Sequence, residues 1–340
     1  MRAVVYSRPG DPSVLEAVDR PIPDPQRGEI RVRIVRSGVN PTDWKSRSGA
    51  FGGPVAEATV PNHDGAGIVD AIGPDVDGFG VGDRVWVTLA GSGRPAGGTA
   101  QEYTVLPAER VFALPAAADF DLGASVGIPA VTAHRALTVA EDGPTRLRPG
   151  TLAGATVLVQ GGAGAVGNAA IQLARWAGAT VVATVSSEAK ATLAAAAGAE
   201  EVVNYEDAGV ADRIRDVAAD GVDLIVEVAA AANAELDLTV LRPRGTISIY
   251  ANDRGAAFAI DVRRCMSLNV RYQFVLLYTV GWDRIAAAAA DINDAIENGA
   301  LRVGERSGLP LHHFHLDDVA GAHAAVENAT VGKVLITVGG

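Results

Sequence analysis

The sequence predicts an α/β chain in which a doubly wound parallel sheet is inserted into a β-rich module. Three observations indicate this arrangement. Short β-rich runs fill the first third of the 340 residues, strand and helix patterns alternate after residue 150, and a last strand follows the last helix. A chain of this length exceeds what one compact core usually holds. We therefore expect two domains, one formed by 1–122 with 300–340 and the other by 123–299.

The β-rich module is predicted from short runs of β-branched and aromatic residues that are separated by Pro-Gly, Gly-Pro and Gly-Asp turns. The expected strands are Arg2–Tyr6, Glu29–Ser37, Gly67–Ile72, Arg84–Thr88 and Gln101–Leu106. From Asp121 the pattern changes, and Leu122–Leu137 is apolar and compatible with a helix except at Pro129. A closing strand, Lys333–Val338, is expected to return to this module.

The inserted sheet is predicted from alternating strand and helix patterns, which are typical of parallel strands joined by crossover helices. After an opening strand that ends at Val159, the expected strands are Thr180–Val185, Glu201–Asn204, Asp223–Val228, Thr246–Tyr250 and Val270–Leu277. The expected helices are Asn168–Arg175, Glu188–Ala197, Val210–Ala219, Ala234–Leu241 and 282–298.

A glycine-rich turn follows the opening strand of this sheet. Gly162, Gly164 and Gly167 satisfy the pattern Gly-x-Gly-x-x-Gly between an apolar strand and a helix. The first glycine allows a tight turn, the second lets a pyrophosphate approach the backbone, and the third permits close packing of helix on strand. In a chain with 39 glycines the pattern alone can mark a simple turn. Its position favours a dinucleotide loop of the Rossmann type, and Gly161, Ala165 and Val166 complete the predicted phosphate site.

Composition narrows the class of function. The formal net charge of −11 argues against nucleic acid or an anionic membrane as partner, and no apolar run is long enough to span a membrane. The single cysteine, Cys265, excludes internal disulfides and a multi-thiolate zinc site. We interpret Cys265 as a small buried hydrophobic residue, with a reactive thiol as the alternative. A reducing cytoplasm fits these features.

Two further stretches resemble a known family. Pro61-Asn62-His63-Asp64-Gly65-Ala66-Gly67, with Gly82-Asp83-Arg84-Val85, resembles the signature of medium-chain dehydrogenases/reductases. Asn40-Pro41-Thr42-Asp43 with Arg47-Ser48-Gly49 resembles the zinc-free, zeta-crystallin-like quinone oxidoreductase branch, and the similarity extends to Gly332-Lys333. The resemblance implies a GroES-like catalytic domain, a Rossmann domain, and a cleft where a nicotinamide meets a small electrophile.

Zinc is not expected. The zinc-dependent members of the superfamily need a thiolate beside a His-Glu pair, whereas here His63-Asp64 stands at that pair and no cysteine is near. We interpret His63 as a structural imidazole. Asp64 and Asp83 are expected to bond backbone amides or an arginine, and His312, His313 and His315 do not have the spacing of a metal site.

The preferred nicotinamide cofactor is NADPH. Rossmann folds that bind NAD usually place an acid about 20 residues past the glycines, yet Ala183–Ser187 contains none. A 2′-phosphate is therefore not repelled, and Ser186 and Lys190 offer a donor and a positive charge. Tyr205 matches a family tyrosine that contacts the same phosphate. Alternatively, Lys190 is a solvated helix residue and Tyr205 a loop anchor.

The resemblance also assigns residues around the nicotinamide. It places Asn40 beside the ring as a hydrogen-bond donor to a developing oxyanion, although an Asn-Pro turn is the alternative. Phe51, with Trp44 in the expected acceptor pocket, stands where related enzymes carry a tyrosine, and it cannot protonate an enoyl thioester. The remaining expected cofactor contacts, several of which can equally be core residues, are Thr132, Val228, Tyr250, Phe274, Leu276 and Lys333.

These features predict an NADPH-dependent, zinc-independent reductase of a small quinone or activated enone. One alternative is an enoyl or alkenal reductase that uses the same cofactor, with water or Tyr103 as the proton source. Another is a non-catalytic NADPH-binding protein of the crystallin type. Because 270–278 is a long β-prone run at the expected edge of the parallel sheet, we also expect a homodimer through this edge.

Overall fold

The computed structural model describes residues 1–56, 58–252 and 256–339. By contacts the chain divides into two compact units, which we call unit 1 (Met1–Ile128 with Pro310–Gly340) and unit 2 (Pro129–Leu309). The sequence predicted one boundary after residue 122 and another before residue 300. The first lies inside a helix, and the second lies just after the end of another helix. None of the helices in the described ranges is long and apolar enough to cross a membrane.

The elements follow one another in three segments. The first contains β1 (Arg2–Val5), β2 (Glu16–Asp19), β3 (Glu29–Val39), α1 (Pro41–Ser48), β4 (Asp64–Ile72), β5 (Arg84–Val87), β6 (Tyr103–Pro107), β7 (Val111–Ala113) and α2 (Phe120–Leu137). The second contains β8 (Thr156–Val159), α3 (Ala165–Trp176), β9 (Thr180–Val185), α4 (Glu188–Ala197), β10 (Glu201–Asn204), α5 (Val210–Val217), β11 (Val222–Glu227), α6 (Ala230–Val240), β12 (Leu241–Ile249), α7 (Val262–Leu268), β13 (Arg271–Phe274) and α8 (Trp282–Glu297). The third contains β14 (Leu311–His315), α9 (Val319–Glu327) and β15 (Lys333–Thr337).

Unit 1 is the β-rich module. Its main sheet has the strand order β14-β15-β3-β4-β5-β7, and β6 also pairs with β3. The predicted return of the last strand is observed, because β15 lies antiparallel to β3 with Val334 opposite Val39. Buried and half-buried residues alternate along the first part of β3, which sends Ile30, Val32 and Ile34 into the core.

Unit 2 contains the predicted doubly wound sheet. Six parallel strands have the order β10-β9-β8-β11-β12-β13, so the direction of winding reverses between β8 and β11. In open α/β sheets a ligand binds at such a reversal, outside the carboxyl ends of the strands. The core strands are almost continuously apolar because helices cover both faces, as Val157, Leu158 and Val159 in β8 illustrate.

Several sequence expectations need correction. The strand expected at 270–277, within the run 270–278 assigned to the edge, covers only Arg271–Phe274, because the chain then turns into a 3₁₀ turn at Leu277–Thr279. Cys265 is half-buried rather than buried, and its Sγ lies 3.6 Å from the Tyr272 hydroxyl. The helices α1 and α7 were not predicted, because each is short and lacks a long apolar stripe.

Candidate active site

The glycine loop of unit 2 has the geometry that a phosphate cradle needs. Gly161 adopts a φ of +71°, which favours glycine. A Cβ on Gly162 would lie 2.8 Å from Cβ of Ala183, and one on Gly167 would lie 2.4 Å from O of Gly161. A Cβ on Gly164 would meet nothing closer than 3.5 Å. Gly162 and Gly167 thus permit close packing, whereas Gly164 leaves its side of the loop open.

The first turn of α3 is open to an anion. Gly164 is the N-cap, and because it has no side chain, the backbone amides that begin at Ala165 and Val166 receive no side-chain capping hydrogen bond. Such amides and the positive end of the helix dipole form an anion site. The loop is held to the neighbouring strand, because Gly162 N donates to the Thr184 carbonyl at 3.0 Å. This arrangement fits the pyrophosphate of a dinucleotide.

A buried polar network that the sequence did not reveal supports this loop from beneath. The Thr184 hydroxyl donates to Oε1 of Gln160, and Nε2 of Gln160 donates to Oδ1 of Asp237 at 2.9 Å. Asp237 is in turn hydrogen-bonded to Glu227, and both side chains are almost fully buried. Burial raises the pKa of both carboxyl groups, and the charge of Glu227 further raises the pKa of Asp237.

This carboxyl pair lies at the reversal of the sheet. Glu227 ends β11, where its carboxylate accepts hydrogen bonds from the backbone N–H of Ala229 and, at 3.1 Å, from Nδ2 of Asn233. Two buried, hydrogen-bonded carboxyl groups share a proton, because both cannot ionise at short range. The signals in the sequence were a glutamine directly before the glycines and an acid at a strand end.

The residues predicted to hold a 2′-phosphate lie together. Nζ of Lys190 donates to Oγ of Ser186 at 2.8 Å, and both residues follow the carboxyl end of β9. Ser187 is the N-cap of α4 and accepts from the Lys190 amide. Tyr205 is 48% exposed, and its backbone N–H donates to Val185 O at 2.9 Å. A positive charge and a hydroxyl therefore stand where an NAD-specific site carries a carboxylate.

The residues predicted to contact the nicotinamide ring lie in two places. A Cβ on Gly161 would come within 3.1 Å of Cγ1 of Val228, which places Val228 across the sheet reversal from the loop. Tyr250, Phe274 and Leu276 line a cavity of about 560 Å³ at the carboxyl ends of β12 and β13. Burial, and then the charge of Glu227, raise the pKa of Tyr250, so its hydroxyl stays protonated. Thr132 is buried within α2.

In unit 1 the predicted active-site amide is held by charged partners. Asn40 is the N-cap of α1, followed by Pro41, so the Asn-Pro pair begins a helix rather than an isolated turn. Nδ2 of Asn40 donates to Oδ2 of Asp64 at 2.7 Å, and Nζ of Lys333 donates to Oδ1 of Asn40 at 2.7 Å. Lys333 also forms a 3.5 Å ion pair with Asp64. The amide orientation is thereby fixed.

Asp64 bonds a backbone amide, as expected, because its Oδ1 accepts from the N–H of Ile128 at 2.8 Å. Asp83 likewise accepts from Gly80 N at 2.7 Å. Burial raises the pKa of Asp64 and lowers that of Lys333, while the attraction between the two charges opposes both shifts. The pair therefore acts as a buried support for Asn40.

Next to this pair lie Asp43 and His63. Burial raises the pKa of Asp43 to about 8, and burial together with Arg110 lowers the pKa of His63 to about 4. At neutral pH the carboxyl group is therefore protonated and the imidazole is neutral. Their closest side-chain atoms are 4.0 Å apart. Within residues 1–56, 58–252 and 256–339 no three His, Cys, Asp or Glu side chains are grouped to hold a metal ion.

The residues of the expected acceptor pocket are placed as follows. Trp44 is half-buried on α1 and contacts Lys45, whose Nζ is 5.8 Å from the indole centroid. Phe51 follows α1 and is 66% exposed. Tyr103, the alternative proton donor, begins β6 and lies beneath the Arg31 guanidinium at 5.9 Å.

Comparison with known proteins identifies matching families for both units. Residues 26–116 match the family described as Alcohol dehydrogenase GroES-like domain. Residues 165–294 match the family described as Zinc-binding dehydrogenase. The predicted combination of a GroES-like domain with a Rossmann-like parallel sheet is thus confirmed.

Individual proteins match along the whole chain. The quinone oxidoreductase of Mus musculus is 36% identical over 342 residues, which cover 99% of this chain and 97% of that protein. The 2-haloacrylate reductase of a Burkholderia species is 29% identical, with 99% and 98% covered. The crystal structure of Escherichia coli quinone oxidoreductase complexed with NADPH is 25% identical and superposes with a TM-score of 0.81, covering 99% and 100% of the two chains.

Proposed function

The chain belongs to the quinone oxidoreductase branch of the medium-chain dehydrogenase/reductase superfamily, and from this premise we propose that it is a zinc-independent NADPH:quinone oxidoreductase. The observation that carries the proposal is the open phosphate loop, together with a lysine where an NAD-specific site has an acid. The Escherichia coli relative in complex with NADPH supports the same cofactor.

The residues of unit 2 fit NADPH. The amides at Gly164, Ala165 and Val166 would hold the pyrophosphate, and Ser186 with Lys190 would hold the 2′-phosphate. Val228, Tyr250 and Phe274 would flank the nicotinamide. Bound in this way, the cofactor supplies the hydride, so the protein needs to orient the acceptor and exclude water rather than activate it.

In this proposal the Asn40 amide is the polar group that binds the acceptor. The Asn40 amide has two N–H donors and gives one to Asp64. The second would donate to the acceptor oxygen on which negative charge develops. Because Lys333 holds Oδ1, the amide cannot rotate and present its acceptor atom instead. An electron-poor quinone needs no further acid, so the proposal requires no hydroxyl at Phe51.

The proposal is tested by stopped-flow oxidation of NADPH with 1,4-benzoquinone and with crotonyl-CoA. We expect faster turnover of the quinone, and equal rates before and after dialysis against EDTA. Loss of activity on dialysis, restored by Zn²⁺, would overturn zinc independence. Tight NADPH binding without turnover of any acceptor would instead support the crystallin-type alternative.

The similarity to a 2-haloacrylate reductase favours a second candidate, reduction of an activated carbon–carbon double bond. This reaction needs a group that can protonate the α-carbon of the substrate. Phe51→Tyr would introduce one at the pocket, so the ratio of crotonyl-CoA to benzoquinone turnover should rise in this variant. A wild-type enzyme that already prefers crotonyl-CoA would make the double-bond reductase the better assignment.

Assembly and location complete the proposal. Strand β13 is the last strand of the parallel sheet, and Phe274 at its end and Leu276 just after it are 63% and 56% accessible. Pairing of two such edges would form a homodimer. Light scattering tests this directly. A reducing cytoplasmic location is supported by the single cysteine.

A further inference from the structure

A chain of hydrogen bonds leads from the buried carboxyl pair at the sheet reversal to the first amides of the glycine loop. Oδ1 of Asp237 accepts from Nε2 of Gln160 at 2.9 Å, and Oε1 of Gln160 accepts from the Thr184 hydroxyl. Oγ1 of Thr184 in turn accepts from the backbone N–H of Gly161 at 3.4 Å. The Thr184 carbonyl also accepts from Gly162 N at 3.0 Å, so one residue holds the loop at two amides. All of these residues belong to unit 2.

The direction of each bond in this chain is set at its carboxyl end. Because Asp237 presents an acceptor, Gln160 turns its NH₂ group towards Asp237 and its carbonyl oxygen towards Thr184. The Thr184 hydroxyl donates its only proton to that oxygen and keeps a lone pair for the Gly161 N–H. The three side chains are buried, so bulk water cannot replace a partner that moves away. The position of the loop amide therefore depends on Asp237.

Glu227 holds the other side of Asp237. Its carboxylate accepts from the backbone N–H of Ala229 and from Nδ2 of Asn233, which is 3.1 Å from each carboxylate oxygen. In the described part of the chain, the groups that donate to Glu227 and Asp237, including Nε2 of Gln160, are uncharged amides. The pair therefore carries one negative charge while it shares a proton, and two once that proton is lost.

Two tyrosines on neighbouring strands are close enough to feel the charge of the pair. Burial is the main cause that raises the pKa of Tyr250 and of Tyr272, and the nearby carboxylate adds to both shifts. The cation that acts on Tyr272, Arg264 of α7, is itself paired with Glu235 at 2.6 Å. Both phenols are therefore neutral between pH 7 and 9.5, and within this range the proton of the carboxyl pair is the one that can be lost.

Loss of the shared proton would act on the loop in two ways. Two buried carboxylates at short range repel each other, so Asp237 cannot keep both its place beside Glu227 and its bond to Gln160. A shift of Gln160 releases the Thr184 hydroxyl and with it the Gly161 amide. The second negative charge would also lie beneath the amides that receive a pyrophosphate, and it would oppose the binding of that anion.

We propose that Glu227 and Asp237 are positioning residues for the dinucleotide, and that the proton they share holds the glycine loop in its anion-binding form through Gln160 and Thr184. The inference rests on the proposed function, because it requires the loop to bind the pyrophosphate. It adds that cofactor affinity is coupled to one proton in the core of unit 2. NADPH and NADH have the same pyrophosphate, so the coupling must be equal for both.

The test measures the Kd of NADPH and of NADH by fluorescence titration of the full chain between pH 7 and 9.5. For the wild type we expect both Kd values to rise in parallel, by at most about tenfold per pH unit, since one proton is involved. In Asp237→Asn the Kd values should not change with pH. The asparagine can accept from Gln160 and donate to Glu227 as the protonated acid does, but it has no proton to lose.

A second variant and a control keep the test decisive. Glu227→Gln replaces the other member of the pair, and it should likewise abolish the rise of both Kd values. Glu235→Gln removes a carboxylate from the same helix as Asp237, but at a side chain that is 83% exposed and paired with Arg264. It should keep the pH dependence of the wild type. Urea denaturation at pH 7 and 9.5 shows whether each variant is folded.

Each remaining outcome overturns the inference, and the outcomes distinguish it from the proposed function. If the wild type binds both cofactors with a constant Kd, the proton does not control the loop, although the proposed function stands. The same holds if Asp237→Asn and Glu227→Gln keep the rise. If only the Kd of NADPH rises, the titrating group lies at the 2′-phosphate. If neither cofactor binds at pH 7, the proposed function fails as well.

Discussion

Lys333 and Asn40 are 293 positions apart in the chain, and a 2.7 Å hydrogen bond joins Nζ of the lysine to Oδ1 of the amide. Both side chains are buried, and Asp64 contacts each of them. An ammonium group in this position serves three purposes. It neutralises a buried carboxylate, it orients an amide, and it ties β15 to the start of α1.

The first prediction concerns this ammonium group. Lys333→Met should lower the free energy of unfolding by about 3 kcal/mol, because it leaves the Asp64 carboxylate buried without its counter-ion. The turnover of 1,4-benzoquinone should also fall, since Asn40 loses the donor that orients it. Urea denaturation and steady-state rates measure the two effects. Lys45→Met, at a half-buried position of α1, should change stability by less than about 1 kcal/mol.

The second prediction concerns pH. Burial raises the pKa of Asp43 to about 8, against about 3.9 in an unfolded chain. Between these values the folded state retains a proton that the unfolded state has lost. This contribution to the free energy of unfolding is therefore complete below about pH 4. It falls by about 1.4 kcal/mol per pH unit as the pH rises from there, and it is lost once the pH has risen through about 8.

Asp43→Asn should remove this dependence, because an amide keeps an oxygen for the Asn40 N–H and does not titrate. Urea midpoints of the variant and the wild type should diverge in favour of the variant as the pH is raised from 6 to 8.5. Asp77→Asn, at an exposed position of the same unit, serves as the control. Parallel curves for all three proteins would show that Asp43 is ionised in the folded state at pH 6.

The third prediction separates the roles of the glycines. Gly167→Ala should destabilise the protein, because its Cβ would lie 2.4 Å from a backbone oxygen. Gly164→Ala should fold with nearly wild-type stability, since its Cβ would meet nothing closer than 3.5 Å. It should raise the Kd of NADPH by about tenfold or more, because the added methyl group would occupy the space through which the phosphate reaches the loop backbone. Thermal unfolding and fluorescence titration distinguish the two effects. Unchanged NADPH affinity in Gly164→Ala would contradict the assigned phosphate site.

The fourth prediction concerns cofactor choice. Lys190→Ala should raise the Kd of NADPH by about tenfold and that of NADH by much less, because only NADPH has a 2′-phosphate to pair with the ammonium. Thr192→Ala changes an exposed residue of the same helix without altering charge, and should affect neither cofactor. Equal losses of NADPH and NADH in Lys190→Ala would refute the phosphate contact.

The sequence was most informative where local pattern decides structure. The predicted bounds of β9, α4 and β10 agree with the structure, because short β-branched runs form the two strands and an alanine-rich run that begins at Glu188 forms the helix. The glycine loop was likewise recognisable from spacing. By contrast, α1 has a polar sequence, and only the Asn40–Asp43 capping pair signalled its start.

The remaining features depend on residues that are distant in the chain. The hydrogen bonds of Asp64 reach Asn40, Ile128 and Lys333, and no periodicity links these positions. The pairing of Glu227 with Asp237 is set by how α6 packs against β11. Likewise, the run 270–278 is β-prone throughout, but hydrogen bonding to β12 supports a strand only as far as Phe274.

The position of β15 has a consequence for synthesis of the chain. It lies between β14 and β3 in the sheet of unit 1, yet unit 2 is translated completely before it. Domains generally fold as their residues leave the ribosome. The nascent chain must therefore carry the end of β3, Arg36 to Val39, without its β15 partner throughout the synthesis of unit 2. An edge of this kind invites wrong pairing until β15 has been added.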